Sequence, residues 1–289
     1  MPTNAPETMG VIYRLQLSQL HPHPQNPFSI RDDQAMLDLI QSVQSHGVLV
    51  PAIARLRPDG EYEIIAGHRR KHASELAGLD FMPVVVLDLN DDEAIIQLVD
   101  SNIQRENILP SERAKAYKMR MEAMKRQGAR TDLTSPNISA KFRSDDELGQ
   151  EVGVSGDTIR NYASLTNLVP ELMQMVDEGR IKLSPAYQIA ALPHNEQSLL
   201  LDTIESEQAT PSLSQAQRMK RLSQNGELNE DVLLEIMIEQ KKPVRNDITL
   251  SGEKLRKYFP KSYSPIQMEN VIFKLLEAWQ RKRQRDQGR

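Results

Sequence analysis

A chain of 289 residues exceeds one average domain, so two or three domains of roughly 100 residues, each with its own core, are expected. The absence of cysteine excludes disulfides, thiolate metal sites and thiol nucleophiles, and a net charge of −4 excludes a uniformly basic nucleic-acid coat, so any such contact has to come from local patches. No stretch approaches the ~18 apolar residues of a membrane span, and the opening MPTNAPETMGVIYRL lacks the layout of a secretory signal, which predicts a cytoplasmic protein with no membrane partner.

Residues 11–15, 52–56, 62–65 and 83–87 read as strands, and 35–46 as a helix with Leu37, Ile40 and Val43 on one face and Gly47 as its stop. This is a small α/β unit. From residue 91 the pattern turns helical, over 91–105 and, after a break at Pro110, over 111–127. The second of these carries Ala114, Tyr117, Met121 and Met124 at helical spacing, a stripe suited to core or dimer contact. Residues 128–144 are polar and aperiodic and predict a hinge. Short helices are expected within 145–165 and over 171–178, 185–192, 195–207 and 212–224, and the last block ends in an amphipathic helix over 265–285. The expected class is α+β, with a mixed α/β N-terminal domain over 1–127, an all-α helix-turn-helix domain over 128–225 and a mostly helical C-terminal domain over 226–289.

The run EYEIIAGHRRKHASELAGL sets a strand, a glycine turn and a helix in succession, with Gly67, His68, Arg69, Arg70 and Lys71 at the turn. A helix N-terminus carries partial positive charge and free N–H groups, so three cationic side chains there are unfavourably placed unless an anion joins them. The segment alone also fits a solvated basic turn whose arginines pair with Glu63 or Glu75. A second polar cluster, Ser101, Asn102, Gln104, Arg105 and Glu106, lies at the end of the 91–105 helix, and by itself it fits a solvated helix end.

Taken together, NPFSIR (26–31), AGHRR (66–70) and SNIQRE (101–106) resemble, in order and spacing, the three nucleotide-site motifs of the ParB family, whose usual forms are NPxQPR, AGERR and ENIQRE. The resemblance covers residues 11–210. It implies an N-terminal domain that binds CTP with a magnesium ion and a dimer that closes as a clamp on DNA. Carried over by position, Gly67, His68, Arg69 and Arg70 contact phosphates, Arg31 assists, and Asn102 and Arg105 serve the metal and phosphate side, with Asn102 the magnesium candidate. Residues 47–51 resemble the base-side loop, with Val50 where a glutamine is common. His68 stands where the family has glutamate, and Ser101 replaces the glutamate that helps position metal or attacking water. A serine hydroxyl supplies neither charge nor proton-accepting power near neutral pH, so binding survives these changes more readily than hydrolysis.

The run DDELGQEVGVSGDTIRNYASL fits the helix-turn-helix template, with Gly149 at the close crossing, Gly153 at the turn, and Leu148, Val152, Val154, Ile159 and Tyr162 as its core. Ser155 caps the second helix, and Gly156, Asp157, Thr158, Arg160 and Asn161 fall on or near the exposed N-terminal half that enters a major groove in such modules. Arg160 suits guanine and Asn161 adenine, whereas Ser155 and Thr158 suit phosphates. Arg180, Lys182, Arg218, Lys220 and Arg221 fit phosphate contact or plain solvation equally. On the last helix Met268, Ile272, Leu275 and Trp279, widened by Val271 and Leu276, must bury a face against their own domain or a second copy. The closing RKRQRDQGR fits nonspecific DNA binding or a frayed end.

These expectations converge on a homodimeric, nucleoid- or plasmid-associated partition protein. It would recognise a centromere-like palindrome in double-stranded DNA, partner a ParA-like ATPase, bind CTP and have at most a weak CTPase activity. The alternative is a ParB-fold transcriptional regulator of a mobile element without nucleotide switching. Enzymatic readings fit less well: sulfiredoxin chemistry needs a cysteine, a small-molecule kinase needs no helix-turn-helix, and the six histidines are not spaced as a metal site.

Overall fold

The computed structural model describes residues 11–105, 108–131, 144–239, 255–260 and 262–287. They divide into two compact units, 1–239 and 240–289.

The first unit opens with a five-stranded mixed sheet built from β1 (Ile12–Gln16), β2 (Leu20–Pro22), β3 (Ala52–Leu56), β4 (Tyr62–Ala66) and β5 (Phe81–Val86), in the order β1-β5-β3-β4-β2. β5 runs antiparallel to β1 and parallel to β3, while β4 pairs antiparallel with β3 and parallel with β2. The periodicity gave no sign of β2, because three residues ending in proline carry too little alternation and sit at an edge. Alternation along β4 divides the interior: Ile64 joins Ala52, Ala54, Met82 and Val84 in one core, and Ile65 turns to the other side of the sheet.

Helix α1 (Gln34–His46) packs on α2 (His68–Leu76) through Met36, Val43 and Ala73. The expected stripe is off by one residue at its start, since Met36 is buried and Leu37 is 52% exposed. Met36, Ile40 and Val43 stand at i, i+4 and i+7, so the face that meets α2 leaves Leu37 about 100° away.

Helices α3 (Asp91–Asp100) and α4 (Pro110–Thr131) lie behind the sheet. α4 runs through Gly128 into the first residues of the expected hinge, a glycine costing a helix only about 1 kcal/mol. The rest of that hinge, 132–143, lies outside the described residues. Leu148 of α5 (Ser144–Val152) and Ile159 of α6 (Gly156–Ser164) belong to the same core as Ile65, Leu98 and Tyr117, so the helix-turn-helix and the sheet share one interior. A ladder of edge-to-face rings, Tyr117 to Tyr162 at 5.7 Å and Tyr162 to Tyr187 at 5.9 Å, continues it into α8 (Leu183–Ile189).

The unit is completed by α7 (Pro170–Asp177), α9 (His194–Glu207), α10 (Leu213–Gln224) and α11 (Glu230–Ile238), around Leu172, Ile189, Leu200, Met219 and Ile236. In the second unit α12 (Pro265–Gln287) buries Met268 and half-buries Val271 and Ile272, but Leu275, Leu276 and Trp279 are exposed, so only the first half of the expected stripe is covered.

Candidate anion cleft and helix-turn-helix surface

Gly67 caps α2 in the left-handed region, with φ of 108°, and a Cβ there would stand 2.8 Å from the Ala52 Cβ on β3. Glycine alone fits, which brings the start of α2 against the sheet. Arg70 then donates from Nη1 to the carbonyls of Val50 and Pro51, each at 2.6 Å, and so ties the turn to the 47–51 loop. Burial lowers its pKa. The carboxylates that sequence reasoning offered to the turn are used otherwise: Glu63 accepts from Arg55 at 2.6 Å, and Glu75 pairs with Lys71.

A cleft of about 370 Å³ opens beside the turn and is lined by Arg31, Asp33, Arg69, Arg105 and Glu112 among others. Asp33 caps α1 by accepting from Met36 N at 2.9 Å and also accepts from Arg69 Nη2 at 3.1 Å. The Arg69 hydrogen bond is the main cause that holds its carboxyl below the usual value. Arg105 is lowered first by burial and next by Arg69, with Glu112 opposing and Arg70 adding to the crowding. Several cations are gathered here, and an anion would relieve them.

Sequence reasoning missed Glu112. Its buried carboxylate accepts from Ser29 N at 3.0 Å and from Leu109 N at 3.2 Å, takes the Ser29 hydroxyl as well, and lies 4.0 Å from Arg31 Nη2. It therefore fastens the 26–31 segment to the first turn of α4. A glutamate two residues after Pro110, at the start of a helix, was the available signal.

His68, the first residue of α2, is only 7% exposed, and its Nε2 has no hydrogen-bond partner. Burial, then Arg105, His23 and Lys71, push its pKa down to about 4, so the ring is neutral at ordinary pH. Asn102 is 3% exposed and turns its amide inward, Nδ2 donating to Leu98 O at 2.8 Å and to Ser101 Oγ at 3.1 Å, while Ser101 Oγ donates to the same carbonyl at 2.9 Å. The two side chains finish α3. The fold thus gathers Arg31, Arg69 and Arg105 at the cleft and sets Gly67, His68, Arg70 and Asn102 outside its lining.

Magnesium asks for near-octahedral oxygen donors, normally including one or two carboxylates. Among the described residues no group of three or more acidic or histidine side chains could hold an ion, and both carboxylates of the cleft already accept from two or more donors. The residues present do not fit magnesium.

In the helix-turn-helix, a Cβ on Gly149 would come within 2.6 Å of the Val154 carbonyl, and Gly153 turns with φ of 77°. Ser155 caps α6 by accepting from Thr158 N at 3.2 Å, and its hydroxyl meets that of Thr158 at 2.9 Å. Asp157 and Asn161 are exposed, and Arg160 is held between Asp145 of α5 and Asp157. Two expected positions differ: Val154 is exposed instead of in the core, and Gly156 is buried because the Asp146 carboxylate packs where its Cβ would be. Arg218 is paired with Glu239 at 2.8 Å, and Arg180 lies 3.8 Å from Glu178.

A mixed sheet that ends in an arginine-rich glycine turn and shares its core with a helix-turn-helix defines a helix-turn-helix protein with an α/β module that carries an arginine-lined cleft. A model of the ParB N-terminal domain matches residues 2–103, and a model of the ParB HTH domain matches 137–224. The chromosome-partitioning protein Spo0J of Thermus thermophilus is 31% identical over 65% of this chain, and the match spans 62% of that relative's length. Stage 0 sporulation protein J of Bacillus subtilis is 29% identical over 86% of this chain and 79% of its own. A C-terminally truncated ParB of Caulobacter crescentus, solved with the centromeric parS site, aligns at 25% identity and a TM-score of 0.45, covering 74% of this chain and 99% of that one. The chain belongs to the ParB family.

Proposed function

We propose that this protein is a site-specific DNA-binding partition protein whose N-terminal module receives CTP and whose homodimer closes on DNA. The observation that carries the reading is the shared core: Ile65, two residues before Gly67, packs in the same interior as Leu148 and Ile159 of the helix-turn-helix. An event at the turn therefore has a packed route to the DNA-reading helix.

Arg31, Arg69 and Arg105 receive the phosphates, and Arg69 exchanges Asp33 for a phosphate oxygen. Gly67 brings the α2 N-terminus close, and Arg70 holds the 47–51 loop that faces the base. With Ser101 in place of a carboxylate, the end of α3 supplies no general base at that position, so the bound nucleotide is turned over slowly or not at all. On the DNA side Ser155 and Thr158 meet phosphates, and Asn161 and Arg160 read base edges. Arg160 first exchanges Asp145 and Asp157 for the base, a swap that a non-cognate site does not compensate. Asp157 accepts from cytosine. A centromere-like palindrome suits a dimer, and a ParA-like ATPase is the motor partner.

The test is binding of radiolabelled CTP, with ATP, GTP and UTP as competitors, with and without DNA fragments from the protein's own replicon. Selective CTP binding that one fragment stimulates is the expected result. DNA recognition with no nucleotide binding would instead make the chain a ParB-fold regulator.

A further inference from the structure

We propose that the cleft takes its nucleotide as the metal-free anion, with side-chain cations neutralising the phosphates where a divalent ion would otherwise do so. The inference rests on the nucleotide reading above and deepens it.

Its first ground is what the carboxylates of the cleft are doing. Asp33 Oδ1 already accepts from both Arg69 and the backbone N–H that starts α1, so its charge is matched by a guanidinium. Glu112 cannot turn without freeing the Ser29 and Leu109 N–H groups that fasten the 26–31 segment to α4. Recruiting Glu112 would undo the wall of the cleft, and a cation recruited to Asp33 would have to displace or crowd Arg69, so a hard cation would keep most of its water shell.

The second ground is the pair of positions flanking the phosphate end. The Ser101 hydroxyl and the Asn102 amide are both spent on the Leu98 carbonyl and the Asp100 carboxylate is paired with Arg120, so these positions offer no unengaged charged donor. At the start of α2 a buried imidazole with an unpartnered Nε2 stands beside Arg105 and Lys71. An anionic side chain there would add negative charge beside the phosphates and call for a metal to offset it. A histidine adds none and can donate a hydrogen bond instead. Arg31, Arg69 and Arg105 at the cleft form a charge set suited to bare phosphates, with His68 a neutral group at the start of α2.

The experiment is equilibrium binding of CTP to the full chain in EDTA and in excess magnesium, repeated with Ser101→Glu, a change at an exposed position that leaves the Asn102 bond to Leu98 in place, with thermal unfolding checking that the variant is folded. The expected result is a Kd for the native chain that agrees between the two buffers within about fivefold, while Ser101→Glu binds at least about tenfold more weakly in EDTA and recovers in magnesium. A larger loss for the native chain in EDTA overturns the proposal, and so does a Ser101→Glu chain indifferent to the ion. No CTP binding in either buffer removes the nucleotide reading itself and this inference with it, an outcome distinct from binding that appears only with magnesium.

Discussion

His68 shows how one residue links the site to stability. Its folded pKa of about 4 lies below the ordinary 6.5, so between these values the unfolded chain binds a proton that the folded chain refuses. Stability is then fully present above pH 6.5 and falls as pH drops toward 4. Between pH 7.5 and 5 this one group accounts for a loss of about 2 kcal/mol. His23, lowered mainly by burial, acts in the same direction. Urea unfolding at the two pH values should therefore show His68→Gln losing less stability on acidification than the native chain, and equal losses would discard the assignment. The turn that holds His68 was legible because glycine and cations at a helix start are local features. The role of Glu112 was legible only in part: its place at a helix start was a local signal, but its partner Ser29 lies 83 positions away and only the fold joins them.

Among elements, α4 carries the most connections. Its Ser111 N–H is capped by Asp177 of α7 at 2.9 Å, its Glu112 holds the 26–31 segment, and its Arg126 donates to the buried Asp92 of α3 at 2.7 Å. Arg120, 4% exposed, reaches Asp100 at the end of α3 at 3.1 Å and also pairs with Glu151 of α5. It joins the helix preceding Ser101 to the first helix of the DNA-binding motif. Removing it leaves two partly solvated carboxylates facing each other without their counter-ion. Arg120→Ala should cost about 1.5–3 kcal/mol, the range for hydrogen bonds to charged groups. Hydrogen exchange should speed up over 144–152 before it does in the sheet, and uniform acceleration would instead show a purely global loss. The helical period of α4 was readable from Ala114, Tyr117, Met121 and Met124, and these residues do pack in the cores. Its continuation past Gly128 was not, because polar residues carry no period and tertiary packing decides where such a helix stops. β2 escaped for the related reason that a short edge strand is specified by its neighbour β4 more than by its own residues.

At the scale of the whole molecule, the first unit is built around continuous apolar cores, whereas the described part of α12 buries only Met268. Phe273, Leu275, Leu276 and Trp279 are all more than half exposed, an apolar surface that soluble chains rarely leave uncovered. The Arg283 guanidinium lies 5.5 Å from the centre of the Trp279 ring, so the indole is flanked by charge instead of being enclosed. A second copy of the same helix offers a matching apolar face, and a two-fold pairing would bury both at once. Trp279 is the only tryptophan of the chain, which makes its emission a direct report on that surface. On dilution through the micromolar range, the native chain should pass from dimer to monomer in sedimentation as its emission shifts to the red. Leu275→Asp, which places a charge in the middle of the face, should sediment as a monomer throughout with the red-shifted emission already present. A native chain that stays monomeric with invariant emission would show that α12 does not pair with a second copy.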